Sequence, residues 1–140
     1  MEICAMNGLT EKDYSNLTHS FITPEIADAA GLRRVSDLDG AEMVGRPRKA
    51  GTDYAGIVFP YFLPPNCNCP RQYRLRRNSP EYEQKADGTR KEIGKYLSAP
   101  GARNMLYFPP SVKTEWLEDV SLPIVLTEGE KKTLALHRLS

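Results

Sequence analysis

The chain has 140 residues, 40% of them hydrophobic and 26% charged, with a net charge of +1. That is enough for one domain with a single core, and no apolar run reaches the roughly 18 residues of a membrane span. The opening MEICAMNGLTEKDY has no basic region followed by an apolar block, so no signal peptide is expected and the cytoplasm is the predicted location.

Residues 1–44 carry three Lys/Arg (Lys12, Arg33, Arg34) against eight Asp/Glu, a local charge of −5. Short helices are expected here. Thr10 is placed to cap one, with Asp13 three residues on and Tyr14, Leu17 and Phe21 on one face. Thr23-Pro24-Glu25 marks a second start: a threonine cap, proline at the first helical position and an acid in the first turn, with Gly31 as a stop. Ser36-Asp37 opens a third, running towards Met43 and Gly45. Two helices joined by GLRRVS leave open a helix-turn-helix reading duplex DNA through Arg33 and Arg34. The acids around them (Asp28, Asp37, Asp39) favour the other reading, a small helical cap over residues 1–45.

Residues 45–103 reverse the sign, with twelve Lys/Arg against five Asp/Glu, or +7. A basic stretch inside a neutral chain points to a local anionic partner; the plainer alternative is a solvated basic face. Strands are expected in YAGIVFPYFL, RQYRLRR, KYLSA and NMLYFP, within a β-rich subdomain over 46–120. The polar run NSPEYEQKADGTRKEIG between them reads as a long exposed loop with a turn at Asp87-Gly88. One or two helical turns are expected around Trp116. Cys67 and Cys69 sit in a proline-bounded loop. With Cys4 as the only other thiol, and His19 and His137 the only histidines, they do not make up the usual four-ligand zinc set. The odd cysteine count also argues against a disulfide framework.

The closing segment, 121–140, reads as a strand (Ile124-Val125-Leu126), a turn (Thr127-Glu128-Gly129) and an amphipathic helix. A carboxylate at the carboxyl end of a strand, just before a helix, is where open α/β sheets hold ligands. Glu128 is therefore a candidate for magnesium, although that ion takes a carboxylate or two together with phosphates and water. No P-loop or G-x-S-x-G motif is present. A lone terminal strand offers an unpaired edge, which makes a homodimer possible.

The basic strand carries the sharpest functional signal. Alternation places Arg74 and Arg76 on one pleated face and Tyr73 and Arg77 on the other. Lys95-Tyr96 repeats the pairing of cation and aromatic on the next strand. Guanidinium forks suit phosphate oxygens and tyrosine offers a stacking face, so two such strands side by side suit single-stranded nucleic acid.

In order, GIVFPY, YRLRR, GKYLSAPG, LYFPP and IVLTEGEKKTLAL resemble the middle of bacterial-type DNA primases. The likeness is greatest to the uncharacterised family found directly before Toprim domains in phage, plasmid and mobile-element primase-like proteins. LTHSFITPEIADAAGL is similar to that family's helical opening, with Phe21 where glycine is more usual. The resemblance covers roughly residues 9–140. It implies an α+β fold, with a helical N-terminal cap on a small, mostly antiparallel sheet, ending in one Toprim-like strand-helix unit. It implies that Glu128 is the Toprim glutamate, acid or base and metal ligand. Lys95 and Tyr96 would be the K-Y pair near template and nucleotide, and Arg74, Arg76 and Arg77 part of the basic strand. Single-stranded DNA or primer-template is the implied ligand, with a helicase or other replication protein as a possible partner for the acidic cap. The later D-x-D motif of a Toprim domain does not occur before Ser140, and Lys132 stands where an aspartate is common. The resemblance thus implies the part upstream of an active site, with Mg²⁺ bound only in a complete Toprim domain and this chain not catalytically complete alone. The cysteine-rich zinc domain of replicative primases is absent, so no zinc is expected.

Overall fold

A computed structural model describes residues 7–64 and 69–139. The elements run α1 (Glu11–Thr18), α2 (Pro24–Ala29), β1 (Arg33–Val35), α3 (Asp37–Met43), β2 (Gly56–Tyr61), β3 (Gln72–Arg77), β4 (Glu81–Gln84), β5 (Arg90–Ile93), β6 (Tyr96–Ser98), α4 (Thr114–Glu118) and α5 (Gly129–His137). The fold is α+β. A four-stranded antiparallel sheet has the order β1-β2-β3-β6, and β4-β5 form a separate hairpin. No helix among the described residues is long and apolar enough to cross a membrane.

Local chemistry accounts for the first three helices. Thr10 accepts from the Asp13 amide while Asp13 accepts from the Thr10 amide, a reciprocal capping box. Thr23 accepts from the Ile26 amide with Pro24 at the first position, and Ser36 accepts from the Asp39 amide. Gly31, at φ +69°, ends the second helical segment as expected.

Phe21 departs from its expected role. It is 65% exposed rather than packed beside Leu17, and its φ of +62° lies in the left-handed region. That conformation costs a bulky residue about 1–2 kcal/mol and glycine almost nothing. Phe21→Gly is therefore expected to leave the fold intact and raise the unfolding free energy by about 0.5–1 kcal/mol, after the extra entropy of an unfolded glycine is deducted. Urea denaturation of the two proteins checks this; a loss of stability would mean that the exposed ring makes a contact of its own.

GLRRVS is not the joint of a helix-turn-helix. Arg33, Arg34 and Val35 pair with Val58, Ile57 and Gly56 as edge strand β1, so the N-terminal zone adds a strand to the sheet. The 78–94 stretch is not a loop either. Tyr82 opposes Glu92, Glu83 opposes Lys91 and Gln84 opposes Arg90, around a turn that Gly88 closes at φ +82°. NMLYFP forms no strand. Ile124, Val125 and Leu126 also form none: they are 83%, 73% and 78% exposed, and no described strand pairs with them. Apolar β-branched residues favour a strand only where a neighbour satisfies their backbone groups. The helix expected after them, α5, is present, as is the short α4 at Trp116.

β2 is buried along its whole length because both faces of the sheet are covered. Ile57 and Phe59 pack with Leu17, Ile22, Ala27, Leu32 and Leu134 beneath α1, α2 and α5. Val58 and Leu75 pack with Val35, Ala41, Val44 and Tyr54 against α3. Pro60 is tolerated because the pairing with β1 ends at Val58, leaving β2 with one neighbour there.

Candidate nucleic-acid interface

Strand register brings one row of side chains across the sheet. Arg34 on β1 opposes Ile57 on β2, Ile57 opposes Arg76 on β3, and Arg76 opposes Tyr96 on β6. Directly opposed residues project to the same face, so two arginines and a tyrosine share one surface with an isoleucine as its floor. Arg74 lies two residues from Arg76 on the same face, opposite Phe59 and Ser98. Leu75 is fully buried on the other face, where Tyr73 also packs. The expected alternation of β3 is observed.

The arginines on this strand differ in what already holds them. Arg77, 3% exposed, is internal: its Nε donates to the Asp53 carbonyl at 2.7 Å, and its guanidinium lies 5.0 Å from the Tyr54 ring centroid. It faces α3 and has no open surface to offer a strand, so it leaves the contact set. Arg74 reaches Glu130 of α5 at 3.3 Å and lies over the Tyr96 ring at 5.3 Å. Glu130 is itself buried and accepts a short hydrogen bond from the Tyr61 hydroxyl, which clamps α5 to the sheet. Burial and then Glu130 push the Tyr61 phenol up to about 12. Tyr107 packs edge-on to Tyr61, and burial raises its phenol as well.

Arg76 is different. No ion pair involves it among the described residues, whereas Arg77 lies 3.7 Å from Glu81; each of the two has one buried nitrogen without a hydrogen-bond partner, Nε in Arg76 and Nη2 in Arg77. Arg76 opens into a cavity of about 700 Å³ bounded by α1, the sheet and α5, where Lys12, Asn16, Arg34, Asn78 and Lys131 join it. Asp13 also reaches this cavity. It is nearly fully buried and grips Arg34 through two hydrogen bonds, with Arg34 Nε at 2.6 Å from Oδ2. That guanidinium holds the Asp13 carboxyl down at about 2. The Lys131 ammonium is depressed, chiefly by burial and then by the positive charges of Arg76 and Lys95. Three cations from α5, β3 and the start of β6 therefore influence one another.

Lys95 is half exposed and paired to Glu92 at 2.8 Å; Tyr96 is partly buried against the core. Register and packing thus gather Arg74, Arg76, Lys95 and Tyr96, together with Lys131, which the sequence did not single out. Lys131 looks like Lys132 in sequence. Only its place beside the buried stripe of Glu130 and Leu134 separates the two. Arg34 enters because β1 pairs with β2, and Lys12 because α1 packs over the same sheet face; no local signal announced either contact.

Glu128 stands apart. It precedes α5, is almost fully exposed, and pairs with Lys132 at 2.7 Å, which lowers its carboxyl. No group of three or more His, Cys, Asp or Glu able to hold a metal ion occurs among the described residues. The nearby Glu130 is turned inward to Tyr61, so the donors around Glu128 do not fit a magnesium ion as they stand. Cys69 is exposed and free, while Cys4 and Cys67 lie outside the described residues. Comparison with family models, curated proteins and solved structures finds no match.

Proposed function

We propose that this chain is the nucleic-acid-binding N-terminal part of a primase-like, Toprim-associated replication protein, not catalytically complete alone. The observation that carries the reading is the opposition of Arg76 and Tyr96 on one sheet face, with the Arg76 Nε left without a partner. A single strand would lay phosphates against Arg76, Lys95 and Lys131 and a base against Tyr96. Those contacts read charge and π-surface rather than base edges, so little sequence preference is expected. The order of primase-like motifs supports the same reading, and their Arg74 acts here mainly by holding Tyr96 and Glu130 in place.

Fluorescence anisotropy with a labelled single-stranded oligonucleotide tests this. Tyr96→Leu, which keeps an apolar side chain in the core, is expected to weaken binding by about 1–3 kcal/mol, the range for loss of one stacked base. Lys95→Ala should cost less, since Glu92 already screens its ammonium. Equal binding by all three proteins would remove the stacking contact and leave only diffuse charge.

A second reading has one observation in its favour. Ile124, Val125 and Leu126 form an exposed apolar segment directly before α5, and such segments often mark protein contacts. On that reading the chain is an interaction module, docked to a helicase or other replication protein, with the basic face covered in the assembly.

A further inference from the structure

The cavity above Ile57 is more than a stretch of an open strand path. We propose that it is a binding pocket for a terminal phosphate group, carried by a small phosphate ester or by the 5′ end of a strand. Its volume, about 700 Å³, lies within the range of small-ligand sites. Four cations line it (Lys12, Arg34, Arg76 and Lys131) against the single carboxylate of Asp13, leaving three net positive charges.

The cations come from α1, β1, β3 and α5, so they converge on one space from different sides. Asp13 is already saturated by Arg34 and by the Thr10 amide and hydroxyl, at 2.9 and 2.8 Å, so it does not cancel the other three. Arg34 presents its Nε and Nη2 to Asp13 and is held rigid by it. Arg76 lines the cavity with no carboxylate of the described residues within ion-pair reach, so its charge is left for an anion there. Lys131 lines the same space, where burial and the charges of Arg76 and Lys95 lower its ammonium. Two amide side chains, Asn16 and Asn78, complete the donors. A terminal phosphate, with two negative charges and three equivalent oxygens, satisfies this set better than a bridging phosphodiester, which has one charge and two free oxygens.

The strand-end arm of this proposal rests on the nucleic-acid reading above; the free-ligand arm does not. Calorimetric titration of pyrophosphate into the full chain at low salt should give saturable one-site binding. Lys131→Ala and Lys12→Ala should each weaken it at least tenfold, and Lys91→Ala, exposed on the β4-β5 hairpin and outside the cavity lining, by less than twofold. The second arm compares 5′-phosphorylated and 5′-hydroxyl oligonucleotides. Tighter binding of the phosphorylated strand, lost in Lys131→Ala, assigns the pocket to a strand end. Pyrophosphate binding with no gain from a 5′-phosphate, or with no oligonucleotide binding at all, assigns it to a small phosphate ester; the latter result would also sink the proposed function while leaving the pocket in place. Absence of saturable pyrophosphate binding, or equal losses in Lys91→Ala and Lys131→Ala, would overturn the pocket.

Discussion

Asp13→Ala lowers the unfolding free energy of this protein by about 2–4 kcal/mol, below the full cost of breaking a deeply buried ion pair because Arg34 stays partly hydrated. The carboxylate does three things at once. It caps α1 through the Thr10 amide, accepts from the Thr10 hydroxyl, and receives two nitrogens of Arg34. Removing it strips α1 of half its capping box and leaves a charged guanidinium beside the core with no anion. The effect depends on pH with a definite sign. The folded carboxyl titrates at about 2, below its ordinary 3.8. Its stabilisation is therefore complete above about pH 4 and is lost as pH falls through 2. The shift corresponds to about 2 kcal/mol. Urea denaturation of wild type and Asp13→Asn between pH 2 and 7 should show two curves converging at the acid end. A gap that stays constant with pH would mean that shape, not charge, accounts for the role of Asp13.

Gly56→Ala should cost about 3 kcal/mol or more, and it acts on the site as well as on stability. A methyl group at this position would lie 2.1 Å from the carbonyl oxygen of Arg76 and 2.9 Å from its carbon. Both atoms are backbone of the neighbouring strand β3, hydrogen-bonded on both sides, so relief requires β2 and β3 to move apart. That movement displaces Arg76 and breaks the row that sets it opposite Tyr96. Gly88→Ala offers the contrast. No atom lies within 4 Å of the added methyl there, and only the left-handed φ of +82° opposes it, at about 1–2 kcal/mol. Thermal denaturation of both variants should rank them in that order. A Gly56→Ala protein as stable as wild type would show that β2 and β3 do not pair in this register.

The parts legible from sequence were those governed by short-range chemistry. Thr10 with Asp13, Thr23 with Pro24 and Ser36 with Asp37 each announce a helix start because capping acts within three residues of the cap. The alternation of β3 separated Arg76 from Leu75 because a pleat has a period of two. What escaped depends on distant partners. Arg33-Arg34-Val35 has little strand character of its own, and β2 supplies the pairing that makes it one. Ile124-Val125-Leu126 has the opposite problem: strong strand propensity with no neighbour to pair with among the described residues. Glu130 reads as a surface acid in a charged helix, and only the fold brings the Tyr61 hydroxyl to it. The cavity needs α1, β1 and α5 together, which is why Arg76 was foreseen and Lys12 and Lys131 were not. Arg77 was misjudged for the same reason: its face of the sheet is covered by α3.

Binding of single-stranded nucleic acid by the Arg76–Tyr96 face is tested by the affinity of the purified chain for a short single strand across a salt series. With about three to four phosphates neutralised, log K should fall linearly with log salt at a slope of about −2 to −3, and Arg76→Ala should make that slope shallower by about 0.7. Undetectable binding at low salt, or a slope that Arg76→Ala leaves unchanged, would show that this face does not hold the strand.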